Sequence, residues 1–189
     1  LADDDTGRCR NLHRQVLYRE ADLGQRKAEV AARQLGDYNP DVELRPHATR
    51  LGDKVFDSLL PGAQAVLDCT DNFPTRFAIN AACARHRVPL VLGAGIGLQG
   101  QLGVFRHDVP AAGCYRCLFD EAGDAAEACE DAGVLGPLVG MLGAWQAFET
   151  LRLLIDEAAP ESHWLHFSPE TRTIRAHEIP QDPACPHHA

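Results

Sequence analysis

The sequence predicts an α/β fold, and the middle of the chain carries the clearest signals for it. The apolar run Ala65–Leu67 ends abruptly in the short polar residues Asp68–Asn72, and a helix-like segment covers about residues 73–87. A second apolar run follows at residues 88–94, and it is typical of a buried parallel strand. We therefore expect a Rossmann-like, mostly parallel sheet that continues into an antiparallel C-terminal part, with ligands outside the carboxyl edge of the sheet.

Composition and charge exclude several classes of protein. The chain has 189 residues, 45% hydrophobic and 24% charged, as in a globular domain with a substantial core. A net charge of −9 argues against partners such as nucleic acid or a membrane surface. No apolar run approaches the roughly 18 residues of a membrane span, and no charged-then-apolar leader stands at the start. Seven cysteines, with one Cys-x-x-Cys pair, favour metal or thiol chemistry in a reducing cytoplasm.

The first forty residues carry two candidate nucleotide contacts. Leu1-Ala2 has the character of a strand end, which would place Asp3 where an acid typically holds a ribose hydroxyl; a solvated loop is the alternative. Residues 27–35 repeat at helical spacing and are ended by Gly36 and Asn39-Pro40. Lys27 falls in the first turn, against the helix dipole, which suggests a role with an anion such as a phosphate. A surface lysine without a role is the alternative.

Local patterns predict the remaining elements. Residues 42–46 alternate as a short strand, and residues 53–60 favour a short helix. The string Gly95-x-Gly97-x-x-Gly100 matches a dinucleotide-binding fingerprint, but a strand-like segment follows it where that fingerprint needs a helix, so we interpret it as a strand–turn–strand. The pattern of residues 134–155 predicts a long helix with small residues that lies under the sheet and could also form a dimer seam. Residues 164–176 are expected to form a terminal hairpin.

The cysteines form a candidate metal site. Cys114 and Cys117 are separated by two residues, and Cys185 precedes His187 and His188 near the end of the chain. Two such pairs supply the four ligands of a tetrahedral structural zinc site, and the spacing favours His188 over His187. A thioredoxin-like redox pair is the alternative.

An ordered series of motifs over residues 1–188 resembles one family closely. It looks like the ubiquitin-activating-enzyme-like adenylyltransferases of the ThiF/MoeB/HesA type, and the opening residues favour the thiamine-biosynthesis branch. The series consists of Asp3-x-Asp5, Asn11-Leu-x-Arg14-Gln15, Gly24-x-x-Lys27, Asn39-Pro40, Leu67-Asp-Cys-Thr-Asp71-Asn72, Gly100-Gln101, Cys114-Tyr-Arg-Cys117 and Ala132-Gly133-Val134.

The resemblance implies an enzyme that uses ATP and Mg²⁺ to adenylate the C-terminal glycine carboxylate of a ubiquitin-like sulfur-carrier protein. The carrier would be ThiS- or MoaD-like, in thiamine or molybdopterin biosynthesis, and the enzyme a cytoplasmic homodimer with structural Zn²⁺. An inert dimeric scaffold that docks the carrier without ATP turnover is the alternative. An NAD-dependent oxidoreductase would use Asp3 but would give no role to Arg14, Lys27 or the cysteine pairs.

The resemblance also implies roles for individual residues. Arg14 and Lys27 match catalytic cations that contact the triphosphate, and Asp71 matches a carboxylate that assists magnesium. Cys129 matches a crossover-loop cysteine that handles sulfur or a covalent carrier adduct in some members, with an idle thiol as the alternative. The further cofactor-binding matches are Asp3, Asn11, Gln15 and Asn72, and the zinc matches are Cys114, Cys117, Cys185 and His188.

Four departures from the family pattern are visible. The family's glycine-rich strand–turn–helix and its partner-subunit arginine would precede residue 1, and Arg10 stands where the family usually has serine. A histidine takes the fourth zinc position. We expect residues 1–189 to form a single ThiF-type adenylation domain whose N-terminal glycine-rich βαβ portion is missing, with residues 114–188 including the zinc-binding and crossover-loop region.

Overall fold

The structure is a computed structural model that describes residues 1–119, 133–155 and 161–188. The chain forms two compact units, the first from Leu1 to Gly52 and the second from Asp53 to the end. The first unit holds most of the predicted nucleotide contacts. The second holds the sheet, Asp71 and the predicted metal ligands.

The first unit contains one described α-helix. This helix, α1, runs over Lys27–Tyr38 and buries Val30 and Ala31 on one side. The predicted helix start at residue 27 is confirmed, but Gly36 does not end the helix. The backbone continues helically to Tyr38, and Asn39, which lies in the extended region, is the C-cap. Two 3₁₀ turns precede α1, at Cys9–Asn11 and Glu20–Asp22.

Residues 42–46 do not form a strand, so that prediction is wrong. Within the described part of this unit, residues 42–46 lie outside both isolated bridges, which join Ala2 to His47 in parallel and Thr6 to Arg26 in antiparallel. Glu43 and Arg45 instead form an exposed ion pair at 2.8 Å, and Val42 is 51% exposed. Alternation alone does not make a strand where backbone pairing is limited to the end of the segment, as in the hydrogen bond from the Leu1 amino group to the Arg45 carbonyl, and where most side chains stay exposed.

The second unit is built on a five-stranded mixed sheet. Its spatial order is β1-β2-β3-β4-β5, in which β1 and β2 are parallel and the later neighbours are antiparallel. The predicted α/β fold, with parallel and then antiparallel pairing, is confirmed; of the four described strand pairings, one is parallel and three are antiparallel. The strands are β1 (Val66–Asp68), β2 (Leu90–Ile96), β3 (Gln99–Phe105), β4 (His163–Ser168) and β5 (Thr173–Glu178).

Helices flank this sheet. The crossover between β1 and β2 contains α3, over Phe73–His86, close to its predicted bounds. The two shorter helices are α2 (Asp53–Leu59) and α4 (Tyr115–Leu118). The long helix α5 covers Gly136–Leu154.

The glycine string between β2 and β3 is a hairpin, as predicted. Gly95 pairs with Gly100 across the ladder, and Gly97 has a φ of +58°, which suits glycine in the tight turn. A Cβ on Gly100 would lie 3.0 Å from Cδ2 of Leu142 on α5. The glycine therefore allows α5 to pack closely on the sheet.

One side of α5 packs on β2 and β3, which confirms the prediction that this helix lies under the sheet. Leu138 and Leu142 are buried there, while Phe148 and Leu151 remain 56% and 59% exposed. The helix therefore has a second apolar side in addition to the one on the sheet. On the strands, the buried core cluster consists of Val91, Leu102, Val104 and Leu165. Trp145 and Leu153 of α5 are partly buried and pack against this cluster.

Candidate functional site

The first unit places two predicted cofactor-binding amides in a buried polar turn. Asn11 lies in the first 3₁₀ turn and is 7% exposed, and its backbone carbonyl accepts the N–H groups of Arg14 and Gln15. Within the described part of the chain, Oδ1 of Asn11 and Oε1 of Gln15 are buried without a hydrogen-bond partner. Buried polar atoms are usually paired because leaving them unpaired is costly. A ligand that offers hydrogen-bond donors would satisfy these two oxygens.

Arg14 is oriented by its neighbours in the same turn. Its Nη1 atom donates to the backbone carbonyl of Arg10 at 3.2 Å and lies 3.2 Å from Nε2 of His13. Arg10 contributes its main-chain oxygen here, so its departure from the family's serine leaves this contact intact. The guanidinium has five N–H donors and keeps capacity for an anion.

Lys27 is buried at the start of α1 and forms an ion pair with Asp5. Its Nζ atom donates to Oδ2 of Asp5 at 2.7 Å, and Lys27 is only 6% exposed. The hydrogen bond from Lys27 lowers the pKa of the Asp5 carboxyl, with a further contribution from the charge of Arg8. Asp3 joins the same group because its Oδ1 accepts the Asp5 N–H at 2.8 Å. The structure thus brings Asp3 and Lys27 together through Asp5, to which sequence reasoning gave no role.

The tip of β1 presents Asp71 to solvent and buries Asp68. Asp68 is 1% exposed, and burial raises the pKa of its carboxyl. Asn72 is the N-cap of α3, and its Oδ1 accepts the Thr75 N–H at 3.0 Å. The amide nitrogen of Asn72 could still make the predicted cofactor contact.

The predicted zinc ligands lie together in the second unit. The ligand atoms of Cys114, Cys117, Cys185 and His188 are all within 4.8 Å of one another. The Sγ atom of Cys114 is 3.8 Å from that of Cys117 and 3.6 Å from that of Cys185. Three thiols and one imidazole are a ligand set that zinc accepts, so this cluster could hold a metal. It includes His188, as the spacing predicted.

A bound metal would change the state of two groups in this cluster. Burial raises the pKa of Cys114 to about 12, and among the described residues Nε2 of His188 is buried without a partner. A bound metal would stabilise the thiolate form and use that ring nitrogen. The adjacent His107 is also kept neutral, because burial and the nearby His188 and His187 lower its pKa to about 4.

Sequence reasoning missed several buried polar residues on the helices, among them three that bond to the segments that carry Asp71 and Cys114. Arg76 and Asn80 lie on α3, and Gln146 lies on α5; each is 6% exposed or less. The available signal was a polar residue on an otherwise apolar side of a helix. Cys129 lies outside the described residues, so its predicted role stays a prediction.

The match to known families decides the assignment. The sequence profile of the ThiF family matches residues 1–187. The chain belongs to the ThiF family. The resemblance inferred from the ordered motifs is therefore confirmed.

Curated ThiF-family relatives cover nearly all of the chain. The molybdopterin-synthase adenylyltransferase of Salmonella typhimurium is 39% identical over 188 residues, 98% of this chain and 74% of that protein. The sulfur carrier protein ThiS adenylyltransferase of Escherichia coli is 36% identical over 186 residues, with the same two coverages of 98% and 74%. The shared activity confirms the prediction of an adenylyltransferase enzyme. The two identities do not separate the thiamine and molybdopterin branches.

Solved structures share the fold. The chain superposes on E. coli MccB with ATP at a TM-score of 0.80 and 20% identity, covering 100% of this chain and 57% of that one. For MccB with MccA-N7isoASN the TM-score is 0.84 at 20% identity, over 59% of that chain. The chain thus spans somewhat more than half the length of MccB.

Among the described helices, none is both long and apolar enough to cross a membrane.

Proposed function

We propose that this protein catalyses ATP-dependent adenylation of the C-terminal glycine carboxylate of a ubiquitin-like sulfur-carrier protein. The carrier is ThiS- or MoaD-like, in thiamine or molybdopterin biosynthesis. The observation that carries the proposal is the pair of buried oxygens on Asn11 and Gln15, unpartnered among the described residues. Amino and hydroxyl groups of a nucleotide are donors that would pair with them. The names of the ThiS and molybdopterin-synthase adenylyltransferases support the same reaction.

The cations of the first unit address the main obstacle to this reaction. A carboxylate that attacks the α-phosphorus of ATP is repelled by the charge of the phosphates. Arg14 and Lys27 would hold the triphosphate and stabilise charge that spreads onto its oxygens, and Asp3 would hold the ribose. An ammonium has three N–H donors, and the bond to Asp5 uses one of those on Lys27 while fixing its position.

Asp71 would be the protein ligand of the magnesium ion that accompanies ATP. Its exposed carboxylate at the carboxyl end of β1 is a hard oxygen ligand of the kind magnesium prefers. When bound, the ion supplies charge neutralisation at the phosphates. No enzyme nucleophile is needed, because the product is an acyl-adenylate.

The remaining parts of the proposal concern assembly. A zinc ion held by the four clustered ligands would stabilise the C-terminal part, and the exposed apolar side of α5 would form the seam of a homodimer. We also propose that residues 1–189 form one adenylation domain, since the family match spans both units. The proposed location is the cytoplasm.

Carrier-dependent exchange of pyrophosphate into ATP tests the proposal on the full gene product. The wild-type protein should show exchange only with a carrier, ATP and Mg²⁺. Asp71→Asn should lower the rate by at least about 10²-fold while leaving the thermal unfolding curve unchanged. Asp57→Asn, which alters an exposed aspartate on α2 paired with Arg85, is the matched control and should retain exchange.

Two outcomes would contradict this proposal. Normal exchange in Asp71→Asn would remove Asp71 from the mechanism. No exchange in the wild-type protein with carrier binding retained would favour the inert scaffold over the enzyme.

A further inference from the structure

The backbone that carries Asp71 is held by side chains that the proposed reaction does not use. Oδ1 of Asp68 accepts the Thr70 N–H at 2.8 Å. Nε2 of Gln146, on α5, donates to the backbone carbonyl of Asp68 at 3.0 Å and so ties the end of β1 to that helix. The short segment between β1 and α3 is therefore anchored on its N-terminal side.

Arg76 anchors the same segment from α3. Its Nε and Nη2 atoms both donate to the backbone carbonyl of Thr70, at 3.2 and 2.8 Å. The Arg76 guanidinium also lies over the Phe73 ring, 5.5 Å from its centroid. Thr70 thus has its N–H bound by Asp68 and its C=O bound by Arg76, which fixes the peptide planes on both sides of the residue before Asp71.

The burial of Arg76 requires an explanation beyond packing. Arg76 is 6% exposed, and within the described ranges it forms no ion pair, although its charge acts to lower the pKa of the buried Asp68 carboxyl. Burying a charge is costly, and an apolar side chain would fill the same space without that cost. A charged donor to a carbonyl makes a stronger bond than a neutral one, so the cost is offset where the carbonyl must be held in place.

We propose that Arg76 is a positioning residue for adenylation, which fixes the Thr70 carbonyl and thereby the direction in which Asp71 presents its carboxylate. The inference rests on the proposed role of Asp71 with magnesium. A displacement of about 1 Å in a reacting group can lower a rate by roughly 10²-fold, so the position of this segment matters to the reaction. Arg76 itself touches neither nucleotide nor carrier in this role.

Arg76→Met tests the proposal, because methionine keeps much of the apolar stem and removes both donors. We expect the folded protein to lose at least about 10-fold in the kcat of carrier-dependent pyrophosphate exchange, with a small change in the KM for ATP. The Mg²⁺ concentration for half-maximal rate should rise. Arg76→Lys retains the charge and can donate to the Thr70 carbonyl from one nitrogen, so it should recover part of the rate. Arg85→Met, on an exposed arginine of the same helix, is the matched control and should behave as wild type.

A double substitution separates positioning from general support of the fold. If Arg76 acts through Asp71, Arg76→Met should cause no further loss of rate in an Asp71→Asn background. A further loss of equal size would overturn the proposal. So would an activity loss in Arg76→Met that follows the fraction of unfolded protein.

Hydrogen exchange of the backbone amides distinguishes failure of this inference from failure of the proposed function. The backbone amide hydrogens of residues 68–72 should exchange with solvent faster in Arg76→Met than in the wild type. Those of β3 and β4 should exchange at the wild-type rate. Unchanged exchange at residues 68–72 would overturn the positioning role even in an active enzyme. If amide hydrogens of residues 68–72 exchange faster in Arg76→Met but the wild-type protein catalyses no pyrophosphate exchange, Arg76 anchors the segment and the proposed reaction is rejected.

Discussion

Asn80 on α3 makes two hydrogen bonds to the first half of the Cys114-x-x-Cys117 motif. Its Nδ2 atom donates to Sγ of Cys114 at 3.6 Å, and its Oδ1 accepts the N–H of Tyr115 at 3.0 Å. Asn80 is fully buried. Tyr115 begins α4, and Cys114 gives no side-chain cap, so Asn80 satisfies an N–H that has no partner within its own helix. One amide therefore positions both a thiol of the candidate metal cluster and the turn that carries it.

Replacing Asn80 should weaken metal binding. Asn80→Leu removes both hydrogen bonds at similar volume, and losing an outer-shell partner typically lowers metal affinity by about 10–100-fold. We expect this loss in zinc affinity, measured by competition with a chromophoric chelator. The zinc-loaded protein should also unfold at a lower temperature.

Asn80→Asp separates the two hydrogen bonds. It keeps an oxygen for the Tyr115 N–H but places a carboxylate beside the thiolate, so its zinc affinity should also fall, while α4 should stay formed. The role of the cluster is tested in the same series, since chelation of zinc from the wild-type protein should lower the unfolding temperature. A wild-type protein whose unfolding is unaltered after confirmed metal removal would contradict a structural zinc site.

The four clustered ligands show what could be predicted from the sequence. Cys114 and Cys185 are far apart in the chain, but their pairing follows from spacing, because a tetrahedral metal needs four ligands. Asn80 could not be found in this way. Periodicity places it on the buried side of α3, but it does not identify a partner in a segment far along the chain.

The errors in the fold have equally local causes. The alternation of residues 42–46 suggested a strand, but a strand also needs a neighbour with which to form a ladder, and sequence alone does not supply one. Gly36 suggested a helix end, yet glycine in a helix interior is unfavourable by only about 1 kcal/mol, which the packing of α1 outweighs. The strands and helices of the second unit were predicted well because their apolar runs are buried on the sheet.

The ion pair between Asp5 and Lys27 should make stability depend on pH. Asp5→Asn leaves the buried Lys27 ammonium without its charged partner, and we expect a loss of about 1–3 kcal/mol in the free energy of unfolding at neutral pH. The side chain of Asp5 is 34% exposed, so solvent should keep the loss in the lower half of this range. Denaturant unfolding at a series of pH values measures it.

The direction of the pH effect follows from the lowered pKa of Asp5. A carboxyl whose pKa is lower in the folded state stabilises the protein above the ordinary carboxyl value of 3.8, and this contribution is lost as pH falls through the folded pKa. The difference between wild type and Asp5→Asn should therefore be greatest above about pH 5 and shrink in acid. Glu43→Gln, in an exposed pair with Arg45, is the control, and its effect should be small at every pH. A difference for Asp5→Asn that stays constant down to pH 2 would contradict the assignment.

Gly113 should be intolerant of any side chain. A Cβ at this position would collide with the backbone carbonyl of Ile179 and lie 2.6 Å from that of Pro180. Gly113 also donates its N–H to the Ile179 carbonyl at 3.1 Å, which joins the segment before Cys114 to the segment that leads to Cys185. Because the obstructing atoms belong to the backbone, Gly113→Ala can be accommodated only by moving these segments apart.

We expect Gly113→Ala to lower the free energy of unfolding by about 1–3 kcal/mol, as overpacking typically does, and to weaken zinc binding in the same protein. Gly36→Ala is the matched control, since a Cβ there meets Leu44 Cδ1 at an ordinary 3.9 Å and α1 should gain about 0.5–1 kcal/mol. Denaturant unfolding and chelator competition measure the two effects. If Gly113→Ala lost stability but kept full zinc affinity, the four ligands would be held together by contacts other than the junction of Gly113 with Ile179. That result would leave Asn80 as the main support of Cys114, because it contacts the thiol from α3 and not from the C-terminal segment.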